Sequence, residues 1–214
     1  MSEIDDKLAK AEEESADGRV PTEGELAELI TDYEKTLSLP DDIRKPQLLV
    51  CPVGLVGAGK STVIKPLSDK LGLVRISTDE IRHLLKDRGF TFALVEEIGL
   101  YLLKKNLIFG FSVAIDADCA GSASKFIQQV PQKFPKAKIV WLHINPPEEF
   151  ILNKLKNFKH TWLFKDADEA IANYFRRKPL HDHLDMPFLY TFDTSRPDLE
   201  KQIEEAVGLI EGIN

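Results

Sequence analysis

From Gln47 to the C-terminus, short apolar runs alternate with stretches whose apolar residues recur at helical spacing. The apolar runs predict strands over 47–53 (QLLVCPV), 73–77 (LVRIS), 111–116 (FSVAID), 138–144 (KIVWLHI) and 189–193 (LYTFD). The stretches between them predict helices near 60–71, 79–87, 92–109, 122–134, 147–157 and 166–178, with a last one over about 196–211. Gly72 and Gly110 stand where helix-ending glycines belong. Strands separated by helices demand right-handed crossovers, and these build a parallel sheet covered on both faces. The fold class that follows is α/β, in three α/β/α layers around a five-stranded parallel sheet. Pro52 cannot donate a ladder hydrogen bond, so it is expected at the frayed end of the first strand.

A separate helix precedes the first strand. Thr22 and Glu25 have capping-box spacing, and Leu26, Leu29, Ile30, Tyr33 and Leu37 fall on one face. The segment LPDDIRKP (39–46) ends it. Residues 1–45 therefore form an acidic tail and an N-terminal helix, and residues 46–214 the main domain. The extra helix is expected to pack on that domain as structure.

Composition changes this picture little, but charge sharpens it. Hydrophobic residues make up 43% of the chain and charged ones 29%, a balance able to bury a core. Of the net charge of −7, residues 1–17 carry −5, which leaves the body nearly neutral. A neutral body lacks the broad basic footprint of a duplex binder, so nucleic acid is disfavoured as a partner. No apolar run reaches membrane-spanning length, and the polar, acidic N-terminus does not match a signal or transit peptide. The expected location is the cytoplasm. Cys51 and Cys119 lie in or beside strand-like segments and read as small buried hydrophobes, not as a bridge.

The candidate chemistry begins at GLVGAGKST (54–62), directly after the first strand. Gly54, Gly59, Lys60 and Ser61 satisfy G-x-x-x-x-G-K-[ST]. Glycines let the backbone wrap a phosphate with its N–H groups, at the positive end of the following helix. Gly57, Ala58 and Thr62 complete the predicted ATP-binding loop. Lys60 would reach the β- and γ-phosphates, and the Ser61 hydroxyl would hold Mg²⁺.

The second strand ends at Ser77 and opens a helix carrying Asp79, Glu80 and Arg82. Carboxyl ends of parallel strands face the ligand crevice, so Asp79 is expected beside the γ-phosphate. There it could take a proton from an attacking hydroxyl. Arg82, on the same helix face, suits an anionic group of the acceptor. Helix-start chemistry accounts for the same residues equally well. Asp116, ending the third strand, stands where a Mg²⁺-positioning carboxylate belongs, or could brace Arg82; a strand-ending turn is the bland alternative. Asp118 is a weaker candidate.

GLVGAGKST, RISTDEIRHLL and VAIDAD together resemble the P-loop kinases related to polynucleotide kinase, a group that includes zeta-toxin-like and small-molecule phosphotransferases. The resemblance runs from about Gln47 to the C-terminus. It implies a P-loop NTPase fold with a helical lid, with Asp79 as the base and Arg82 on the acceptor side. Relatives often have an asparagine shortly after the third-strand aspartate, where this chain has Cys119.

Late-arriving cations that close over the phosphates would come from ANYFRRKPL (172–180). Arg176 and Arg177 point about 100° apart on a helix, so at most one reaches the nucleotide directly. Arg176 is assigned to catalysis and Arg177 to nucleotide binding; a solvated basic helix end explains both as well. Lys156 and Lys159 are weaker alternatives. In FDTSRPDLEKQI, Thr194 and Arg196 are placed near the base by the resemblance, and turn chemistry explains them as well. His181 and His183 are expected in an exposed loop, and His83 is expected to pack. NKLK (153–156) lacks the acid of a guanine-reading N-K-x-D. Ala117 after Asp116 lacks the second acid of a motor ATPase.

The reading is an ATP- and Mg²⁺-dependent kinase for an unidentified hydroxyl acceptor. On charge grounds a small metabolite comes first, then a nucleotide-sugar, then a polynucleotide 5′-hydroxyl. The alternative is an ATP-binding regulatory module without phosphotransfer, with the tail and extra helix as its interaction surface.

Overall fold

The structure is a computed structural model and describes residues 18–121, 124–157 and 163–213. Helix α1 (Glu23–Thr36) comes first, followed by β1 (Gln47–Val53), α2 (Lys60–Leu71), β2 (Val74–Ser77) and α3 (Thr78–Asp87). A 3₁₀ turn (Phe92–Leu94) leads into α4 (Val95–Ile108), β3 (Val113–Asp116), α5 (Ser124–Lys133) and β4 (Ala137–Ile144). Then come α6 (Glu148–Lys156), α7 (Ala167–Asp182), β5 (Phe188–Phe192) and α8 (Leu199–Glu211). The five strands form one parallel sheet in the order β2-β3-β1-β4-β5. The acidic tail, residues 1–17, lies outside the described residues, as does Lys159.

The strands hold because both sheet faces are covered. Leu49, Cys51 and Val53 of β1 enter the apolar layer shared with α1, α3 and α4, while Leu48 and Val50 enter the one shared with α2 and α8. All of β1 is buried, which explains why its sequence is a continuous apolar run and not an alternating one. Both cysteines are buried and free. Among the described residues no helix is long and apolar enough to cross a membrane.

Pro52 lies within the strand and not at a frayed end: it stays in register with Leu142 of β4. Its carbonyl accepts from the Cys119 amide at 2.9 Å, on the side where the pairing with β3 has already stopped. In a parallel strand the N–H and C=O of one residue face the same neighbour, so no ladder bond is lost. Other boundaries moved as well, β3 opening at Val113 and the last helix at Leu199. The expected helix 92–109 opens with a 3₁₀ turn capped by the Thr91 hydroxyl. Helix α7 runs past Pro179 to Asp182.

Helix α1 is bound into the body. Its capping box closes as the sequence required, with Thr22 and Glu25 bonding each other's backbone. Leu29 and Tyr33 are fully buried in the α3/α4 layer. Strand β2 is an edge of the sheet, and Tyr33 covers that edge: its hydroxyl accepts from the Ser77 amide at 2.8 Å and faces the Ser77 carbonyl at 3.4 Å. Glu34 pairs with Lys105 of α4 at 2.5 Å, and Asp32 pairs with Arg88 just past α3. Tyr33→Phe keeps the ring and strands a buried N–H, so it should destabilise the fold by about 1–3 kcal/mol in urea denaturation. An unchanged midpoint would mean that the bond is not closed in solution.

Candidate active site

The loop between β1 and α2 is shaped by close approaches. A Cβ on Gly54 would sit 2.6 Å from the Ile144 carbonyl oxygen, so the chain passes β4 only as glycine. Gly59, the residue before α2, has φ 93°, which favours glycine, and a Cβ there would press on Thr194 at 3.2 Å. No side chain caps the head of α2, which leaves its amides free to receive an anion. Lys60 bends back over the loop: its ammonium donates to the carbonyls of Gly54 at 2.8 Å and Leu55 at 3.0 Å. Burial pushes its pKa down against the pull of Asp118, Asp79 and Asp116, all near enough to act on it.

Beside the lysine, Ser61 donates its hydroxyl to Asp116 Oδ1 at 2.9 Å. Asp116 ends β3 opposite Ser77 and is only 3% exposed. Its second oxygen is held by Arg75, which also pairs with Glu80. Burial pushes the Asp116 carboxyl up, while the Ser61 and Arg75 hydrogen bonds oppose it. A hydroxyl and a carboxylate converging at the head of α2 are hard oxygen donors of the kind Mg²⁺ takes, its other positions being filled by water and phosphate.

Asp79 stands in the first turn of α3, behind the Ser77 cap, whose hydroxyl accepts from the Glu80 amide. It receives a hydrogen bond from Arg82 Nη1 at 2.7 Å. Asp79, Arg82, Lys60, Ser61 and Asp116 all line one open cavity of about 930 Å³, together with Gly54, Gly57, Gly59 and Thr62. His83, which was expected to pack, is exposed and belongs to the same lining.

Asp118 ties this cavity to α7. Its carboxylate accepts from the Gly54 amide at 3.3 Å, the Ala120 amide at 3.3 Å and Arg177 Nη2 at 3.1 Å. His181 Nε2 lies 3.0 Å from it. His181 is therefore not an exposed loop residue. It occupies the last turn of α7, its side chain only 7% exposed, because the helix continues through Pro179. His183, just beyond the helix, is exposed as expected. Burial pushes the Asp118 carboxyl up, but the His181 bond, the Lys60 charge and the Ala120 amide outweigh it and hold it down at about 2.

A carboxyl lowered on folding contributes stability above its unfolded pKa and loses it as pH falls toward the folded one. Asp118→Asn should thus lower stability at neutral pH by about 2 kcal/mol, and the gap to wild type should close between about pH 4 and pH 2. Denaturant midpoints at several pH values check this. A gap that persists at pH 2 would assign the loss to packing.

Of the two adjacent arginines, Arg177 lines the cavity, whereas Arg176 is exposed and does not. Thr194 gives its hydroxyl to the Ala58 carbonyl at 2.7 Å, bracing the loop from outside the cavity. Arg196 is exposed and pairs with Asp198 at 2.5 Å. Arg75 was not singled out from the sequence; its signal was a charge inside an otherwise apolar strand.

Solved structures share this architecture. A protein from Chloroflexus aurantiacus J-10-fl assigned as a kinase is 15% identical, with a TM-score of 0.61; the match covers 80% of this chain and 100% of that one. A chain of the PezAT toxin–antitoxin system of Streptococcus pneumoniae is 15% identical (TM-score 0.56, covering 89% and 98%). The Mycobacterium tuberculosis APS kinase CysC, crystallised with AMPPNP and APS, is 17% identical (TM-score 0.54, covering 78% and 98%). No family model matches the chain, and no curated protein matches it in sequence. At these identities the likeness shows the fold alone, a five-stranded parallel sheet between layers of helices.

Proposed function

We propose that this chain is a kinase that moves the terminal phosphoryl group of ATP to an alcohol oxygen. One observation carries the reading: Asp79 opens into the same cavity as the phosphate loop and the Ser61–Asp116 pair. A phosphate-gripping loop alone serves switches and motors as well. A carboxylate just past β2, two strands away in the sheet, adds a proton acceptor for an incoming hydroxyl. Likeness in fold to a kinase crystallised with a nucleotide analogue and APS supports the same reading.

In the proposed reaction the loop amides and Lys60 hold the β- and γ-phosphates. Asp79 takes the hydroxyl proton as the acceptor oxygen bonds to the γ-phosphorus; the bond to the β,γ-bridging oxygen breaks and ADP leaves. Mg²⁺, held by Ser61 and Asp116, would neutralise charge on the phosphates. Arg177 is the better-placed lid cation, because it already lines the cavity and Arg176 does not. Arg82, hydrogen-bonded to Asp79, would orient that carboxylate toward the acceptor.

Incubation with γ-labelled ATP and a panel of alcohols tests this. A kinase places label on at least one acceptor. Binding of ATP with label on none would instead identify a nucleotide-gated regulatory module.

A further inference from the structure

We infer that the acceptor is a small alcohol with an uncharged, apolar body, and that Gly99 sets the size of the body the site admits. The inference rests on the kinase reading above. One wall of the cavity is built by the 3₁₀ turn and one face of α4, where half-buried Phe92 and Leu100 give the accessible apolar surface over the buried Val95 and Leu103. On α4, Val95, Gly99 and Leu103 recur every four residues and Leu100 lies beside Gly99, so the wall is one helix face and not scattered contacts. This wall lines the same cavity as Asp79 and Asp116, which stand at the carboxyl ends of β2 and β3.

Charge along this wall disfavours a polyanion. Its one acid, Glu96, is exposed at the cavity lining, and the lysines of α4 are directed elsewhere. Lys105 pairs with Glu34 at 2.5 Å, and Lys104 lies over the Phe126 ring at 5.2 Å. Arg82, the guanidinium nearest the base, is already neutralised by Asp79. The exposed lysines of the lining, Lys65 and Lys154, stand on α2 and α6 and not on this wall, so a phosphate-rich acceptor lying along α4 would meet Glu96. An apolar body would cover this wall and leave its hydroxyl for Asp79.

Gly99 is a second, independent observation. Its backbone is ordinary helix, and a Cβ there would meet only Ile81 Cδ1, at 3.9 Å. Neither backbone conformation nor packing requires glycine, which weakens a helix interior. What its bare surface does provide is room, in the middle of the acceptor wall.

The test uses the full chain with γ-labelled ATP and three acceptor sets at equal concentration. These are uncharged apolar alcohols such as 3-phenyl-1-propanol and cyclohexylmethanol, sugar phosphates, and a 5′-hydroxyl oligothymidylate. Label should go to the first set. Gly99→Leu should cut kcat/KM for those alcohols by at least about 10-fold by filling the space they occupy, with ATP affinity unchanged. Gly99→Ala should raise the thermal midpoint by about 2–4 °C, confirming that the fold does not need the glycine.

Label confined to the sugar phosphates or the oligonucleotide would overturn the inference and leave the kinase standing. Full use of the apolar alcohols by Gly99→Leu would remove Gly99 from the account. Transfer to none of the three sets, with ATP bound, would count against the kinase reading itself.

Discussion

Asparagine at position 79 is expected to slow phosphoryl transfer by about 10³-fold, within the range a lost general base produces, and to leave ATP affinity nearly intact. The side chain keeps its shape, and its amide oxygen can still accept from Arg82 Nη1. It loses only the ability to take a proton and the negative charge in the first turn of α3. That charge stabilises the helix by about 0.3–1 kcal/mol, so folding should survive. Calorimetry for ATP and a coupled assay for ADP separate the two effects. Comparable losses in binding and in rate would place Asp79 on the nucleotide and not on the acceptor.

Replacing Lys60 with alanine should affect both quantities. The ammonium is the one charge on the loop itself, and in this structure it rests on the Gly54 and Leu55 carbonyls. Moved onto the phosphates, it would balance charge that grows as the γ-phosphoryl group departs, a preorganised contact worth about 10²–10³ in rate. Arginine should not rescue it, because a planar fork cannot take the place of a compact ammonium folded back over two carbonyls. ATP titration and single-turnover transfer of the alanine and arginine variants check this. Wild-type turnover in either would detach Lys60 from the chemistry.

The parts of the site that could be read from the sequence are those made by neighbours in the chain. Gly54 to Ser61 form one contiguous turn between a strand and a helix, so their spacing alone placed them together. Asp79 and Asp116 were legible because strand ends of a parallel sheet open on one crevice. Contacts between distant segments were not legible. His181 reaches Asp118 across 63 positions, and only after α7 has returned over the loop. Proline at 179 argued for a helix that stopped short of it, whereas α7 continues through it and carries His181 inward. Which of Arg176 and Arg177 faces the cavity depends on helix phase, and adjacent residues carry no phase signal of their own. Tyr33 lies 44 positions from Ser77, so the pattern placed α1 against the body but could not show that it seals the edge strand. Gly99 read as an unremarked helix position until the cavity wall was built around it.

The central claim is that the terminal phosphate goes to an alcohol and not to water. Phosphorus NMR of the wild-type protein turning over ATP·Mg²⁺ with an acceptor in ¹⁸O-enriched water tests it directly. The account predicts ADP and a phosphomonoester whose signal lacks the isotope shift, because its oxygen came from the alcohol. Inorganic phosphate carrying ¹⁸O as the sole product, with the alcohol untouched, would contradict it.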